Sequence, residues 1–264
     1  MSRRNPAVLG KWGPDGVRVV NKDWDKPLQW DRAAAKTGER RRVFPSLCDP
    51  FEDRPDLDAP RVKLFATIDR TPNLDWLLLT KRPENVASLW AYYDDEGQPY
   101  FPPNVWLGTS VEDQQRADER TPALLKIPAA IRWLSVEPLL GPIDLTPWLE
   151  SVFVADFDPD DRGYLTPAID WVVIGGESGS NARPCDLAWI RSIVAQCKAA
   201  GVPVFVKQLG SVAWDESQWM QRMKIGDTSR EYVRYCRVRL SHPKGGDPAE
   251  WPVDLRIREF PARA

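Results

Sequence analysis

The stretch Asp75–Pro142 contains three copies of one phrase: DWLLLTKRPENV, NVWLGTSVED and IRWLSVEPLLGP. Each begins with a short apolar run that carries a Trp. Each run stops at polar residues: Thr80-Lys81-Arg82, then Thr109-Ser110 with Glu112, then Ser135 with Glu137. The phrase recurs at IDWVVIGGESG (Ile169 to Gly179) and, without the Trp, at VPVFVKQLG (Val202 to Gly210). Helix-like segments follow most of these runs. A repeated strand-then-helix unit with chemistry at the strand end predicts a parallel α/β scaffold with a site built from strand ends.

Working outward, the first strand is expected at Val43–Cys48, with Pro45 lowering its regularity. Further strands are expected at Trp76–Thr80, Val105–Val111, Ile131–Val136, Asp170–Ile174 and Val204–Lys207. Helices are expected at Leu28–Lys36, Asp58–Arg70, Pro83–Tyr93, Asp113–Lys126 and Asp186–Ala200. The second has Asp58 as its cap and a stripe of Val62, Leu64, Phe65 and Ile68. The last is the most periodic: Leu187, Ile190, Ile193, Val194 and Cys197 share a face, and Gly201 ends it. A short helix at most and an acidic surface loop, ADFDPDDRG, are expected within 141–168. The six units either curl into a partial barrel or lie open as a doubly wound sheet, and the pattern favours the barrel. The expected organisation is an irregular segment 1–42, a βα-repeat region 43–210, and a C-terminal extension 211–264 packed on it.

The chain has 264 residues, a net charge of −2, 13 Trp and 25 Pro. That length suits one large α/β domain or two small ones. The charge exerts no global pull on nucleic acid or anionic membrane. The local basic segments Arg40–Arg42 and Arg230–Arg239 read as solvated surface or as a nucleic-acid contact. No apolar run is long enough to span a membrane and no leader pattern is visible, so a cytoplasmic protein without a membrane partner is expected. Cys48, Cys185, Cys197 and Cys236 are scattered, and His242 is the single histidine. Neither a disulfide scaffold nor a compact zinc site is indicated, and no metal ligands are assigned.

With parallel strands, Asp49, Lys81, Arg82, Ser110, Glu112, Glu137, Glu177, Ser178, Lys207 and Gln208 converge at one end. Such carboxylates and cations grip a polar ligand or tune one another as acids and bases. Gly175 and Gly176 let a ligand approach the backbone, and N–H groups of IGGESG at a helix start would hold an anion. Parity adds a second expectation. Trp76 and Thr80, Trp106 and Ser110, Trp133 and Glu137, and Trp171 and Glu177 should share faces, with the Trp residues filling the interior unless a bulge intervenes.

RVFPSLCDPFED, NLDWLLLTKRPENV, NVWLGTSVEDQ, RWLSVEPLLGPIDL, IDWVVIGGESG with ARP, GVPVFVKQLG and the closing KGGDPAEWPVDLRIREFP together resemble the phage-encoded three-Cys-motif family. That family has no established function and is similar to radical S-adenosylmethionine enzymes. The resemblance covers nearly the whole chain from about Asn5. It implies a partial (βα)6 TIM-like barrel of radical S-adenosylmethionine type. It also implies a [4Fe–4S] cluster on three close cysteines, with S-adenosylmethionine on its open iron. Gly175, Gly176, Glu177 and Ser178 would hold that cofactor. Asp49, Lys81, Arg82, Ser110, Glu112, Glu137, Lys207 and Gln208 would hold substrate, a nucleotide or nucleic acid being the implied class.

The chain departs from the family in having no clustered cysteines, and Met1–Pro6 resembles the helix just after the cysteine loop. Two readings follow. A missing first strand and cysteine loop upstream is favoured. The alternative is a cluster-less barrel that binds a nucleotide, nucleic acid or partner protein. A non-radical enzyme using Glu and Lys as acid and base ranks last, because no pair has a diagnostic spacing.

Overall fold

The structure is a computed structural model that describes residues 16, 18–20, 23–46, 48–90, 92, 97, 100–154, 164–215 and 237–262. The acidic stretch 155–163, Cys236, residues 1–6 and most of 230–239 lie outside the described residues. The chain divides into two compact units, Met1–Val43 with Arg54–Trp76, and Phe44–Asp53 with Leu77–Ala264.

In the first unit, helix α1 (Asp25–Thr37) ends at Gly38, whose φ of 71° supplies the left-handed turn that closes a helix. Strand β1 (Arg41–Val43) follows, then helix α2 (Asp58–Asp69) and the start of β2 (Leu74–Thr80). β1 pairs in parallel with β2 from Arg41 opposite Leu74 to Val43 opposite Trp76. The expected strand Val43–Cys48 is therefore displaced. Beyond β1, Ser46 N–H instead donates to the Phe44 carbonyl (2.9 Å) and Cys48 N–H to that of Pro45 (2.9 Å), local contacts in place of a ladder. Pro45 has no N–H to give to a ladder, so the strand stops before it. On α2 the stripe is Leu64, Phe65 and Ile68 with Arg61 buried beside them, while Val62 is exposed. Leu57, not Asp58, occupies the capping position.

Arg40 is committed inside this unit. Its Nε donates to Asp75 Oδ1 (3.0 Å) and its Nη2 to the Leu74 carbonyl (2.9 Å), so it is not part of an open basic patch.

The second unit carries Leu77–Thr80 of β2, β3 (Val105–Ser110), β4 (Ile131–Val136), hairpin strands β5 (Phe153–Val154) and β6 (Tyr164–Leu165), β7 (Trp171–Gly175), β8 (Cys185–Asp186), β9 (Val204–Gln208) and β10 (Ala213–Trp214). Its helices are α3 (Val86–Leu89), α4 (Gln114–Leu125), α5 (Thr146–Leu149) and α6 (Leu187–Ala199). The expected helix over Pro83–Tyr93 is shorter. A 3₁₀ turn at Pro83–Asn85 leads into α3, and the chain turns extended at Trp90.

The sheet order is β1-β2-β3-β4-β7-β9, and the β1–β2, β3–β4, β4–β7 and β7–β9 pairings are all parallel. Sheet order follows chain order without reversal. This is the singly wound arrangement, in contrast to the doubly wound sheet whose order reverses at a switch point. Parallel strands also bring Thr80, Ser110, Val136, Gly175 and Gln208 to one end.

Helices cover one face: α4 packs on β3 and β4, and α6 on β7 and β9. Asp113 caps α4 by accepting from Arg116 N–H (2.9 Å), and Asp186 caps α6 by accepting from Ala188 N–H (2.8 Å). The five residues expected to form the α6 stripe are all buried.

The other face is filled by Leu77, Trp106, Ile131, Trp133, Trp171 and Val173, with Leu79 and Phe205 packed against them. Three of the four expected Trp residues thus point inward. Trp76 does not. Leu77 and Leu79 take the inward positions of β2, so Trp76 lies on the opposite face, where its Nε1 donates to Thr71 Oγ1 (2.9 Å). The C-terminal segment adds to β9. Val206 N–H donates to the Ile257 carbonyl (2.9 Å) and Glu259 N–H to that of Val204 (3.0 Å), which covers an edge that would otherwise offer unpaired groups. Among the described residues no helix is long and apolar enough to cross a membrane.

Candidate functional site

The site lies in the second unit, above the Trp layer. Residues of successive inward positions climb each strand: Trp106, Gly108 and Ser110 on β3; Trp133, Ser135 and then Glu137 along β4; Phe205 and Lys207 on β9. The indoles form the floor, and the polar residues stand where the apolar run ends.

Glu137 is the centre of one group. Its Oε2 accepts from Lys207 Nζ (2.8 Å) and its Oε1 from Gln208 Nε2 (3.0 Å). Gln208 Nε2 also donates to the Gly176 carbonyl (2.9 Å). Consecutive strand residues normally point to opposite faces. Both reach Glu137 because the β7–β9 ladder slips: Ile174 faces Val206, but Gly175 faces Gln208. Lys207 already shares the inward side with Phe205; as the extra residue of this bulge it shifts the register, which re-aims Gln208 toward the carboxylate. Gly175 completes the geometry. A Cβ there would stand 3.2 Å from the Glu137 carboxyl carbon, so the missing side chain leaves that carboxyl its place.

Glu112 is the centre of a second group. It accepts a hydrogen bond from Lys81 Nζ, and its Oε2 accepts one from Arg120 Nη1 (2.9 Å). Arg120 Nη1 also donates to the Ser110 carbonyl (2.7 Å), tying α4 to the end of β3. Ser110 and Ser135 face each other in the β3–β4 register, so Glu112 and Glu137 follow at equivalent positions of neighbouring strands. Burial alone would push the Glu112 carboxyl up. The Lys81 ammonium and the Arg120 guanidinium more than offset this and hold it below the ordinary value.

A group with a depressed folded value stabilises the fold above its unfolded value, and that contribution is lost as pH falls through the folded one. Here it is complete above the ordinary 4.5 and disappears on acidification below it. Glu112→Gln should therefore lower the urea midpoint at pH 6 and lower it much less at pH 3. An equal deficit at both pH values would show that the charge on Glu112 is not what matters.

The third group surrounds Arg82. Its Nη1 donates to Asp49 Oδ2 (2.8 Å) and its Nη2 lies 3.5 Å from Glu52 Oε1. Asp49 Oδ2 also accepts from the Lys81 N–H (3.2 Å), so one carboxylate orders the turn that presents both cations.

GGESG takes a different part from the one its spelling implies. No helix starts there: α6 begins at Leu187, after β8. Gly176 N–H is spent on the Gln208 carbonyl (3.1 Å) and Gly179 N–H on Ser211 Oγ (3.0 Å). A Cβ on Gly176 would lie 2.3 Å from the Leu209 carbonyl oxygen, so this glycine lets two chain segments close on each other. Glu177 is bound by Arg183 through its Nε (2.8 Å), Nη2 (3.1 Å) and backbone N–H (2.8 Å), which holds its carboxyl below the ordinary value. Ser178 follows it, half-buried. Of the expected residues, Asp49, Lys81, Arg82, Glu112, Glu137, Lys207 and Gln208 thus form these three groups, the last two joined through Lys81. Ser110 contributes its carbonyl. Glu177 is paired with Arg183, whose guanidinium also feels the Glu112 charge, and Ser178 follows it.

The cluster implied by the resemblance needs three thiolates. The described cysteines are Cys48, which is exposed, and Cys185 and Cys197, which are buried. Burial pushes the Cys185 and Cys197 thiols up to about 12, so both stay protonated at neutral pH. Among the described residues no three His, Cys, Asp or Glu side chains are grouped to hold a metal ion. These donors do not fit an iron–sulfur cluster, and the Gly176 and Gly179 amides of the glycine loop are engaged within the chain.

Arg120, Glu52 and Arg183 were not expected at the site. Arg120 lies in α4, eight residues after Glu112, and its spacing announces a role only once α4 is laid over β3.

Fold and site define a singly wound α/β protein with an ion-paired polar site at its strand ends. The chain belongs to the family described as protein of unknown function (DUF5131), whose model matches residues 3–235. That description assigns no activity. No curated protein and no solved structure matches the chain.

Proposed function

We propose that the strand-end site binds a phosphate-bearing ligand, a nucleotide or a nucleic acid. One observation carries this reading: the carboxylates are recessed and the cations are presented. The side chains of Lys81, Arg82 and Lys207 are 54, 40 and 42% exposed, whereas those of Glu112, Asp49, Glu52 and Glu137 are 12, 22, 11 and 20% exposed. An ammonium has three donor hydrogens, and Lys81 and Lys207 each give one to a carboxylate. The remaining donors are held in place at the solvent side of the pair, arranged for a multiply charged oxyanion. The singly wound order and the Trp-filled inner face support reading the sheet as a partial (βα)6 barrel, in which strand C-termini carry the site.

Titration calorimetry of the full chain with inorganic tripolyphosphate at low salt tests this. Lys81→Ala and Lys207→Ala are each expected to weaken binding on the order of tenfold. Added salt should weaken the native complex, because exposed charges are screened. Lys207→Arg should retain most of the affinity. No heat from the native chain, or native-like affinity in both alanine variants, would sink the proposal.

A further inference from the structure

We propose that Phe44 is a stacking platform for the base of that ligand, so that the site takes a nucleotide unit and not a bare polyphosphate. This rests on the phosphate reading above. Phe44 is 38% exposed, although its neighbour on the inner face, Trp133, is buried. The Phe44 and Trp133 rings meet in a T-shape, with centroids 5.9 Å apart and planes at 73°. That contact fixes the ring's tilt and covers at most one of its faces. The backbone is also fixed, since the Phe44 carbonyl accepts from Ser46 N–H (2.9 Å).

The same ring belongs to the polar site. Lys207 Nζ lies 5.8 Å from its centroid while donating to Glu137 Oε2 at 2.8 Å. An aromatic surface and an ammonium with donors to spare are thus within the span of one small ligand. A base laid on Phe44 would gain stacking, and a positive charge beside the pair favours an electron-rich π system. Its phosphates would reach Lys207 and the Lys81–Arg82 turn. Phe260 is equally exposed at 38%, but it packs on Trp171 and Phe205 (5.2 Å each), nearer the strand starts. Phe44 therefore combines exposure, a fixed orientation and a neighbouring site cation.

The test compares four probes on the full chain by calorimetry: tripolyphosphate, adenosine triphosphate, adenosine and pentathymidylate. The native chain should bind at least one of the base-bearing phosphates about tenfold more tightly than tripolyphosphate. Which of the two shows the gain tells whether the base belongs to a free nucleotide or to a nucleic acid. Phe44→Leu should abolish the gain and weaken tripolyphosphate binding far less than nucleotide binding. Phe44→Trp should keep it, and circular dichroism would verify that both variants fold. Equal affinity for all three phosphates overturns the proposal. So does a Phe44→Leu variant that weakens tripolyphosphate as much as the nucleotides. If adenosine binds in a Phe44-dependent way while no phosphate adds affinity, the platform stands and the phosphate reading falls. If none of the four binds, both fall.

Discussion

Replacing Trp133 by alanine is expected to lower the unfolding free energy by about 3–5 kcal/mol, the range for deleting a large buried aromatic side chain. Trp133 is 2% exposed and sits in the middle of the inner face. Its ring lies 5.6 Å from that of Trp171 and 5.9 Å from that of Phe44, and its Nε1 donates to the Trp106 carbonyl at 3.3 Å. Alanine would leave a cavity bounded by two other indoles, and large rigid rings on an ordered sheet collapse poorly into such a space. Urea unfolding followed by far-UV circular dichroism gives the measurement. The midpoint should fall with the slope preserved, as for a change in stability without a change in the surface exposed. A loss under about 1 kcal/mol, the cost of an ordinary surface change, would mean that the indole layer is not the support of this face.

The second large effect is the opposite insertion. Gly108→Ala should cost about 1–3 kcal/mol or more, the usual penalty for overpacking a filled core. A Cβ on Gly108 would stand 2.3 Å from Trp133 Cε2, 2.5 Å from Cδ2 and 2.7 Å from Nε1. Gly108 faces Trp133 directly in the β3–β4 register, so the indole lies over the glycine where any side chain would go. The ring is held by its neighbours and has nowhere to move. The two sites must then couple, as residues in contact do. Gly108→Ala in a Trp133→Leu background should cost clearly less than in the native chain, because the smaller side chain gives back the space. Additive effects in this cycle would rule out the clash as the cause.

Most of the scaffold was legible because it rests on local patterns. The five-residue stripe of α6, the limits of β4 and the starts of α4 and α6 depend on spacing within one element. The structure reproduces them to within a residue or so. Parity along β3 and β4 also held, so Trp106 and Trp133 point inward beneath Ser110 and Glu137. Parity along β2 held as well, but it could not say which face was which. Every residue of β2 except Leu79 is buried, and a strand buried on both faces shows no alternation to read. Trp76 was therefore assigned to the wrong side.

What the sequence determined by itself was the repeat: apolar runs that end in charge, in an order that requires parallel strands and gathers those charges at one end. What only tertiary structure decided was which charges meet. Glu137 holds both Lys207 and Gln208 because the ladder slips at Gly175, and an alternating strand would have turned one of them away. Glu112 is held by Arg120, which comes from a helix folded back over the sheet. Gly176 spends its amide and its missing side chain on bringing two chain segments together. These are contacts between elements distant along the chain. They are fixed by register, crossover and close packing, none of which is a property of any short stretch of residues.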